Sequence, residues 1–319
     1  MRRQSSHISV VIPFHNEAEN TAPLFARLIP VLNELSQSWD IICVDDGSED
    51  GTLAALNAAR INDLRIRIIK LSRNFGKEAA ISAGLQVATG HHVMLMDGDL
   101  QHPPETLIEM MEIQARGIDV VYGLRHSRRT EGRLRSAFSS LFYRVFSRAA
   151  DLRLPADAGD FRLMSSRVVE ALNALPEQTR FMKGLYAWVG FSQQAVLYEV
   201  AKRSSGRSKW SLAKLFGYAW NGIVSFSALP LRVWSIIGFF VATIALAYAG
   251  LIGVSTLVLG RDVPGYTTLA VAIFFLGGLQ LVSIGMLGEY IARIFTETKQ
   301  RPLFIVEEMQ GFDPDDDDQ

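Results

Sequence analysis

The residues best suited to chemistry are two aspartates one position apart, Asp97 and Asp99, which follow an apolar run. The run Val93–Met96 predicts a buried parallel strand, because it is short, continuous and uncharged. Open α/β sheets bind ligands at the carboxyl ends of such strands. Two carboxylates there can share a hard divalent cation, Mg²⁺ or Mn²⁺, that also holds phosphate oxygens. Gln101 adds an oxygen, and Gly98 is predicted to let the backbone turn sharply between the aspartates.

Taken alone, Asp-Gly-Asp could also be a polar turn without a function, so the elements around it matter. Apolar, β-branched runs alternate with segments of helical periodicity, and short links separate them. This alternation predicts an α/β fold with a parallel or mixed sheet and helices on both faces. The other predicted strands are Ile8–Phe14, Trp39–Val44, Arg65–Leu71, Ile118–Tyr122 and a final edge strand, Gln194–Ala201.

Two further polar groups are predicted near the same edge of the sheet. Asp45 and Asp46 follow the second strand, and Asp45 is free to hydrogen-bond the ribose or base of a nucleotide, because helix capping does not need it. Arg73 and Lys77 lie on either side of Gly76 at the start of a helix, where the helix dipole favours anions. Plain surface charge is the alternative for these two cations.

The C-terminal third carries two uncharged apolar runs, Val233–Val258 and Val263–Gly288. Each exceeds the roughly 20 residues that a helix needs to cross a bilayer, so both are predicted to be transmembrane helices. Basic residues flank the pair while one arginine lies between the runs, so we expect both long termini to face the cytoplasm. Gln280 and nearby glycines favour close helix contacts, as in a homo-oligomer.

Composition is consistent with this arrangement. Hydrophobic residues make up 49% of the 319 residues, enough for one core and a membrane segment. The N-terminal apolar run is too short for a signal peptide, so no cleaved targeting segment is expected. The single cysteine, Cys43, excludes an intrachain disulfide and is consistent with a reducing compartment.

An arginine-rich segment lies between the fifth strand and the sequence ADAGDFRLM, and an amphipathic stretch follows it. Its guanidinium groups suit the surface of an anionic membrane or a phosphomonoester, and we assign Arg125, Arg128 and Arg133 to an acceptor phosphate. Nucleic acid is not expected as a partner, because the cluster is local and the formal net charge of the chain is −1.

Four motifs in order carry a resemblance: VVIPFHNE, VDDGSEDGT, SRNFGKEAAISAGL and MDGDLQHPPE. They resemble the inverting nucleotide-sugar glycosyltransferases of the GT-A fold. The similarity is greatest to enzymes that use a polyprenyl phosphate acceptor, the dolichol-phosphate mannose synthases and the bacterial bactoprenol glucosyltransferases. It continues into the membrane hairpin, which ends GEYIARIFTETKQRP as is typical of the bacterial branch.

The resemblance implies roles for particular residues. Asp97, Asp99 and Gln101 would form the metal site. Asp160, in GDFRLM, would lie beside the reacting centre as a catalytic residue, with Arg162 as its partner. The nucleotide sugar would be bound by Pro13, Glu17, Asp45, Asp46, Arg73, Lys77 and Asp97, and by Arg203 and Lys209 in a glycine-serine loop that closes over the diphosphate.

The implied function is inverting transfer of a hexose, glucose from UDP-glucose, to undecaprenyl phosphate at the cytoplasmic face of the bacterial inner membrane. The expected divisions are a cytoplasmic catalytic domain (1–209), an interfacial helix (210–231), two transmembrane helices (232–292) and a cytoplasmic tail (293–319). A processive polysaccharide synthase is an alternative, although Gln178-Thr179-Arg180-Phe181 does not fit the Gln-x-x-Arg-Trp motif of those enzymes. A non-catalytic membrane scaffold that binds nucleotides is the other.

Overall fold

The computed structural model describes residues 6–125, 158–178, 180–199, 229–259 and 265–312. The strands are β1 (Ile8–Phe14), β2 (Trp39–Asp45), β3 (Ile66–Leu71), β4 (His92–Leu95), β5 (Val120–Arg125), β6 (Ala158–Ser165), β7 (Gln193–Tyr198) and β8 (Val306–Gln310). The helices are α1 (Ala18–Leu35), α2 (Thr52–Asn62), α3 (Lys77–Gln86), α4 (Thr106–Gln114), α5 (Ser166–Asn173), α6 (Met182–Trp188), α7 (Leu229–Leu259) and α8 (Tyr266–Thr298).

All eight described strands form one mixed sheet in the order β7-β5-β6-β4-β1-β2-β3-β8. The four central strands β4, β1, β2 and β3 are parallel, so their carboxyl ends lie along one edge. Strand β6 runs antiparallel to β4 and β5, and β7 lies parallel to β5 at an outer edge. The predicted α/β sheet and its GT-A-like arrangement are therefore confirmed.

Helices cover both faces of the sheet. Apolar residues of α1, α2 and α4 pack on one face, and those of α3, α5 and α6 pack on the other. The central strands are buried on both sides, which explains why they read as continuous apolar runs rather than as an alternation. Helix α3 is rich in small residues, and this allows it to approach β1 and β2 closely.

Strand β8 was not predicted, because its residues fall in the segment that the sequence assigned to a tail. It pairs antiparallel with β3 and forms the second edge of the sheet. The Lys70 ammonium lies 2.7 Å from the Glu307 carboxylate, and the Arg67 guanidinium stacks 3.8 Å from the centre of the Phe312 ring. The chain thus returns from α8 to the catalytic sheet.

Helices α7 and α8 are both long and apolar enough to cross a membrane. They contain 31 and 33 residues, which corresponds to roughly 45–50 Å at 1.5 Å per residue and exceeds a hydrocarbon core of about 30 Å. The predicted run ended at Gly288, but α8 continues through the charged residues Glu289 and Arg293 to Thr298. Near that end, the Glu297 carboxylate accepts hydrogen bonds from the Gln178 backbone N–H, with both oxygens 3.1 Å away.

Candidate active site

Strand β6 places Asp160 opposite Asp97. The antiparallel register pairs His92 with Ser165 and Leu95 with Arg162. Beyond the last pair, Asp97 follows the end of β4 and Asp160 precedes Arg162 on β6, and both carboxylates lie 2.7 Å from the Lys77 ammonium. Because β6 runs against its neighbour, its beginning lies at the carboxyl edge of β4. Two residues that are far apart in the sequence therefore meet at one end of the sheet.

Lys77 lies between these two aspartates. It is the first residue of α3, and its Nζ is 2.7 Å from Asp97 Oδ1 and 2.7 Å from Asp160 Oδ2. The Lys77 side chain is 44% exposed, whereas that of Asp160 is 12% exposed. Lys77 was predicted to bind the anionic donor, and the structure shows that it also forms an ion pair with each aspartate.

The Asp160 carboxylate is ionised. Burial by itself would raise its pKa, but the nearby Lys77, Lys183 and Arg162 cations outweigh burial and lower the pKa to about 2. Its second oxygen, Oδ1, is buried and has no hydrogen-bond partner within the described residues. A buried charged oxygen without a partner is costly, so this atom is well placed to receive a ligand.

The partner predicted for Asp160 was wrong. Arg162 is buried, and its guanidinium donates to the Gly159 carbonyl oxygen (3.0 Å) and stacks 3.8 Å from the centre of the Tyr186 ring. Residues 160 and 162 lie on the same face of β6. Lys77 makes the direct ion pair with Asp160, while Arg162 acts on it through its charge.

The turn after β4 presents Asp99 and Gln101 beside Asp97. Asp99 Oδ1 accepts a hydrogen bond from the Gln101 backbone N–H at 3.1 Å. The chain turns at Gly98 and Asp99, as predicted, but the residue with positive φ in this segment is Leu100 (62°). Glycine is needed at 98 for a different reason: a Cβ there would lie 2.8 Å from Phe14 Cε1.

The donor set suits a hard divalent cation. Among the described residues, no group of three or more His, Cys, Asp or Glu side chains is arranged to hold a metal. Two carboxylates and an amide oxygen nevertheless fit an ion such as Mg²⁺, which commonly takes one or two carboxylates and completes its shell with phosphate oxygens and water. The residues present therefore fit a metal that binds together with a diphosphate.

The two aspartates after β2 have different partners. Asp46 accepts hydrogen bonds from the Phe75 and Gly76 backbone N–H groups at 2.7 and 3.0 Å, so it fixes the loop that precedes α3. Asp45 is 1% exposed, and its Oδ1 accepts from the Ser48 N–H at 3.2 Å. Its Oδ2 is buried without a partner in the described part of the chain, which leaves that oxygen available to a ligand.

Other predicted donor-site residues lie along the same edge. Pro13 pairs with Val44 between β1 and β2. Glu17 precedes α1, and its Oε2 accepts from Asn20 Nδ2 at 2.5 Å. The exposed Arg73 guanidinium stacks 4.0 Å from the centre of the Phe75 ring.

Arg125 reaches the site through aromatic neighbours that the sequence did not point to. It ends β5 and hydrogen-bonds the Tyr198 side chain.

His102 stacks on Phe161 with ring centroids 4.6 Å apart, and its Nδ1 accepts from the Asp97 backbone N–H at 3.1 Å. Burial lowers the His102 pKa. The remaining predicted cations, Arg128, Arg133, Arg203 and Lys209, lie outside the described residues.

Glu78 was missed at the level of sequence. It follows Lys77 in α3, and its Oε2 accepts from the Met182 backbone N–H at 3.3 Å. Burial first, and then the Asp160 charge, raise the Glu78 pKa to about 7. A signal was present in the sequence, because Glu78 directly precedes the small and apolar run Ala79–Leu85, which is buried throughout.

This sheet edge has the features of a glycosyltransferase site, and comparison with known proteins identifies the class. Residues 9–172 match the family described as glycosyl transferase family 2, and residues 229–294 match the GtrB C-terminal hairpin. The chain belongs to glycosyl transferase family 2 and is a glycosyltransferase.

Two relatives show how far the similarity extends. The chain is 47% identical to an uncharacterized glycosyltransferase, sll0501, of Synechocystis over 96% of both chains. It is 42% identical to the SfII prophage-derived bactoprenol glucosyl transferase of Shigella flexneri over 96% of this chain and 99% of that one. Among solved structures, the chain aligns with glucosyl-3-phosphoglycerate synthase of Mycobacterium tuberculosis, solved in complex with Mn²⁺, UDP and glucosyl-3-phosphoglycerate. The TM-score is 0.45 and the sequence identity is 19%, over 67% of this chain and 76% of that one.

Proposed function

We propose that this protein transfers a hexose, glucose from UDP-glucose, to undecaprenyl phosphate at the cytoplasmic face of the membrane, with inversion at the anomeric carbon. The observation that carries the proposal is the ionised Asp160, set opposite Asp97 with a buried oxygen free of partners in the described chain. Relatives named bactoprenol glucosyl transferase support the acceptor and the sugar.

The acceptor needs positioning more than activation. The second pKa of a phosphomonoester is about 6, so its oxygens are largely ionised at neutral pH. A phosphate oxygen would attack the anomeric carbon, and the bond from that carbon to the diphosphate oxygen would break with its electron pair leaving on the nucleoside diphosphate. Attack from the face opposite the leaving group inverts the centre. Asp160 would orient the reacting groups and accept a proton only from residual protonated acceptor.

The departing diphosphate needs positive charge. A divalent cation held by Asp97 and Asp99, with Gln101, would supply it when bound. Lys77 stands beside Asp97 and adds an ammonium group. Asp45 Oδ2 would accept a hydrogen bond from the nucleoside. Arg125 would approach the acceptor phosphate from the Tyr198 side of the site.

The hairpin would bring the lipid to this site. Helices α7 and α8 would anchor the enzyme, and the pairing of β8 with β3 joins the end of the hairpin to the catalytic sheet. Four glycines of α8 face open space in the described structure: Gly277, Gly278, Gly285 and Gly288. A Cβ added at any of them would have no heavy atom within 4 Å, when its chain neighbours and the backbone of its own helix are left out. That open surface supports our proposal that the hairpin self-associates into a homo-oligomer.

A donor screen with purified protein and undecaprenyl phosphate tests the function. We expect radiolabel from UDP-glucose to enter an organic-extractable lipid. Asp160→Asn and Asp99→Ala should each lower the rate about a hundredfold or more, whereas exposed Glu112→Gln should leave it unchanged. Label in a polymer would favour a processive synthase. Absence of transfer from every nucleotide sugar tested would contradict the proposal.

A further inference from the structure

Lys77 and the expected metal use the same carboxylate. The Lys77 ammonium lies 2.7 Å from Asp97 Oδ1, and Asp97 is also one of the two carboxylates suited to the cation. A divalent ion bound to Asp97 would lie close to this ammonium, and the two positive charges would repel each other. Binding of a metal to Asp97 therefore competes with the ion pair to Lys77.

A diphosphate would relieve this competition. Its oxygens complete the shell of a hard cation, and they also accept hydrogen bonds from an ammonium. A lysine ammonium carries three N–H donors, so Lys77 could exchange Asp97 for a phosphate oxygen and keep its contact with Asp160, also at 2.7 Å. The partly exposed Lys77 side chain leaves room for that movement.

We propose that Lys77 is a positioning residue that couples metal binding to donor binding: its ammonium holds Asp97 until a nucleoside diphosphate draws it away, and Asp97 then accepts the cation. This inference rests on the proposed function. This coupling predicts that the protein binds the metal weakly when the metal is alone and tightly when the diphosphate is also present. Throughout the exchange, Lys77 keeps Asp160 ionised and in place beside the donor.

The test measures Mn²⁺ binding without turnover, by electron paramagnetic resonance of the full chain in detergent, with and without UDP. Lys77→Met removes the charge and keeps the length. We expect this variant to bind Mn²⁺ alone at least tenfold more tightly than the wild type, and UDP to enhance its Mn²⁺ affinity at least tenfold less. Lys77→Arg should resemble the wild type, as should Lys299→Met, which removes an exposed lysine directly after α8.

The outcomes separate the two proposals. If Asp97→Asn abolishes Mn²⁺ binding while Lys77→Met leaves both the Mn²⁺ affinity and the effect of UDP unchanged, the coupling is refuted and the metal site stands. If Asp97→Asn and Asp99→Asn bind Mn²⁺ with UDP as the wild type does, the metal site of the proposed function fails, and the coupling fails with it. Lys77→Gln replaces Lys77→Met if size-exclusion chromatography shows that the methionine variant is misfolded.

Discussion

At the scale of single residues, the site depends on how buried charges are paired. Asp160 and Glu78 both lie near Lys77, yet their pKa values move in opposite directions. Lys77 contacts Asp160 directly, and together with Lys183 and Arg162 it outweighs the effect of burial there. At Glu78, burial and the negative charge of Asp160 dominate. The site therefore holds one carboxylate that stays ionised and one that titrates near neutral pH.

Glu78 provides a prediction about pH. Its pKa is about 7 in the folded chain against 4.5 for an unperturbed glutamate. A carboxyl group whose pKa is raised by folding stabilises the fold fully at a pH below its unfolded pKa. This stabilisation is lost as the pH rises through the folded pKa of about 7. Glutamine does not titrate, so Glu78→Gln should not lose stability in this way. Between pH 5 and pH 8, its free energy of unfolding should rise by on the order of 1–2 kcal/mol relative to that of the wild type.

Thermal unfolding of the wild type, Glu78→Gln and Glu112→Gln across pH 5 to 8 measures this difference. The exposed Glu112→Gln should follow the wild type at every pH. Asp160 adds no pH dependence in this window, because its folded pKa of about 2 and its unfolded pKa of 3.8 both lie below pH 5 and its contribution to stability is therefore constant. An identical pH slope for the wild type and Glu78→Gln would show that Glu78 is not buried as described.

At the scale of elements, the site is formed where three segments converge on the carboxyl edge of β4. The antiparallel register of β6 brings Asp160 to Asp97. The close packing of α3 on the sheet brings Lys77 to the same point. Asp46 holds the loop before α3 through two backbone N–H groups, so a carboxylate expected to line the donor pocket also positions Lys77.

The turn after β4 yields a second prediction. A Cβ on residue 98 would lie 2.8 and 2.9 Å from two atoms of the Phe14 ring, which is 1% exposed. Gly98→Ala should therefore displace the turn and cost about 1–3 kcal/mol of stability, with weaker Mn²⁺ binding in the presence of UDP. Gly159→Ala, where the nearest heavy atom of the described residues lies 3.9 Å from the added Cβ, is the matched control for stability. Equal melting temperatures for the two variants would contradict the close contact.

At the scale of the whole molecule, the C-terminal hairpin of α7 and α8 is joined to the catalytic sheet at two places. The Glu297 carboxylate binds the Gln178 backbone near the end of α8, and β8 then pairs with β3. Strand β8 thereby replaces β3 as the outer strand of the sheet, and its charged residues Glu307 and Glu308 disfavour pairing of this edge with other chains. The segment after α8 thus belongs to the same sheet as the candidate active site.

This connection can be tested by breaking the β8 ladder. Met309 of β8 pairs with Ile69 of β3. Met309→Pro should disrupt the strand, because proline disturbs a ladder through its missing N–H and its fixed φ. We expect faster hydrogen exchange in β3 and cleavage of the C-terminal segment by protease, with the hairpin still in the membrane fraction. Met309→Ala should keep the strand protected, and equal protection in the proline variant would refute the pairing.

The sequence alone determined most of the sheet and the two long apolar helices. Continuous apolar runs identify buried parallel strands and long apolar helices because each depends on a local pattern of composition. The order of the motifs also indicated the family. Asp97, Asp99 and Asp160 could thus be proposed as site residues before their positions in space were known.

Only the tertiary structure decided which of these residues meet. The partner of Asp160 is Lys77 and not Arg162, because the register of β6 and the packing of α3 join segments that are distant in the chain. Strand β8 escaped prediction because its exposed, charged residues have no core pattern and depend on β3 for their hydrogen bonds. Such contacts come from long-range pairing, which no local pattern in the sequence encodes.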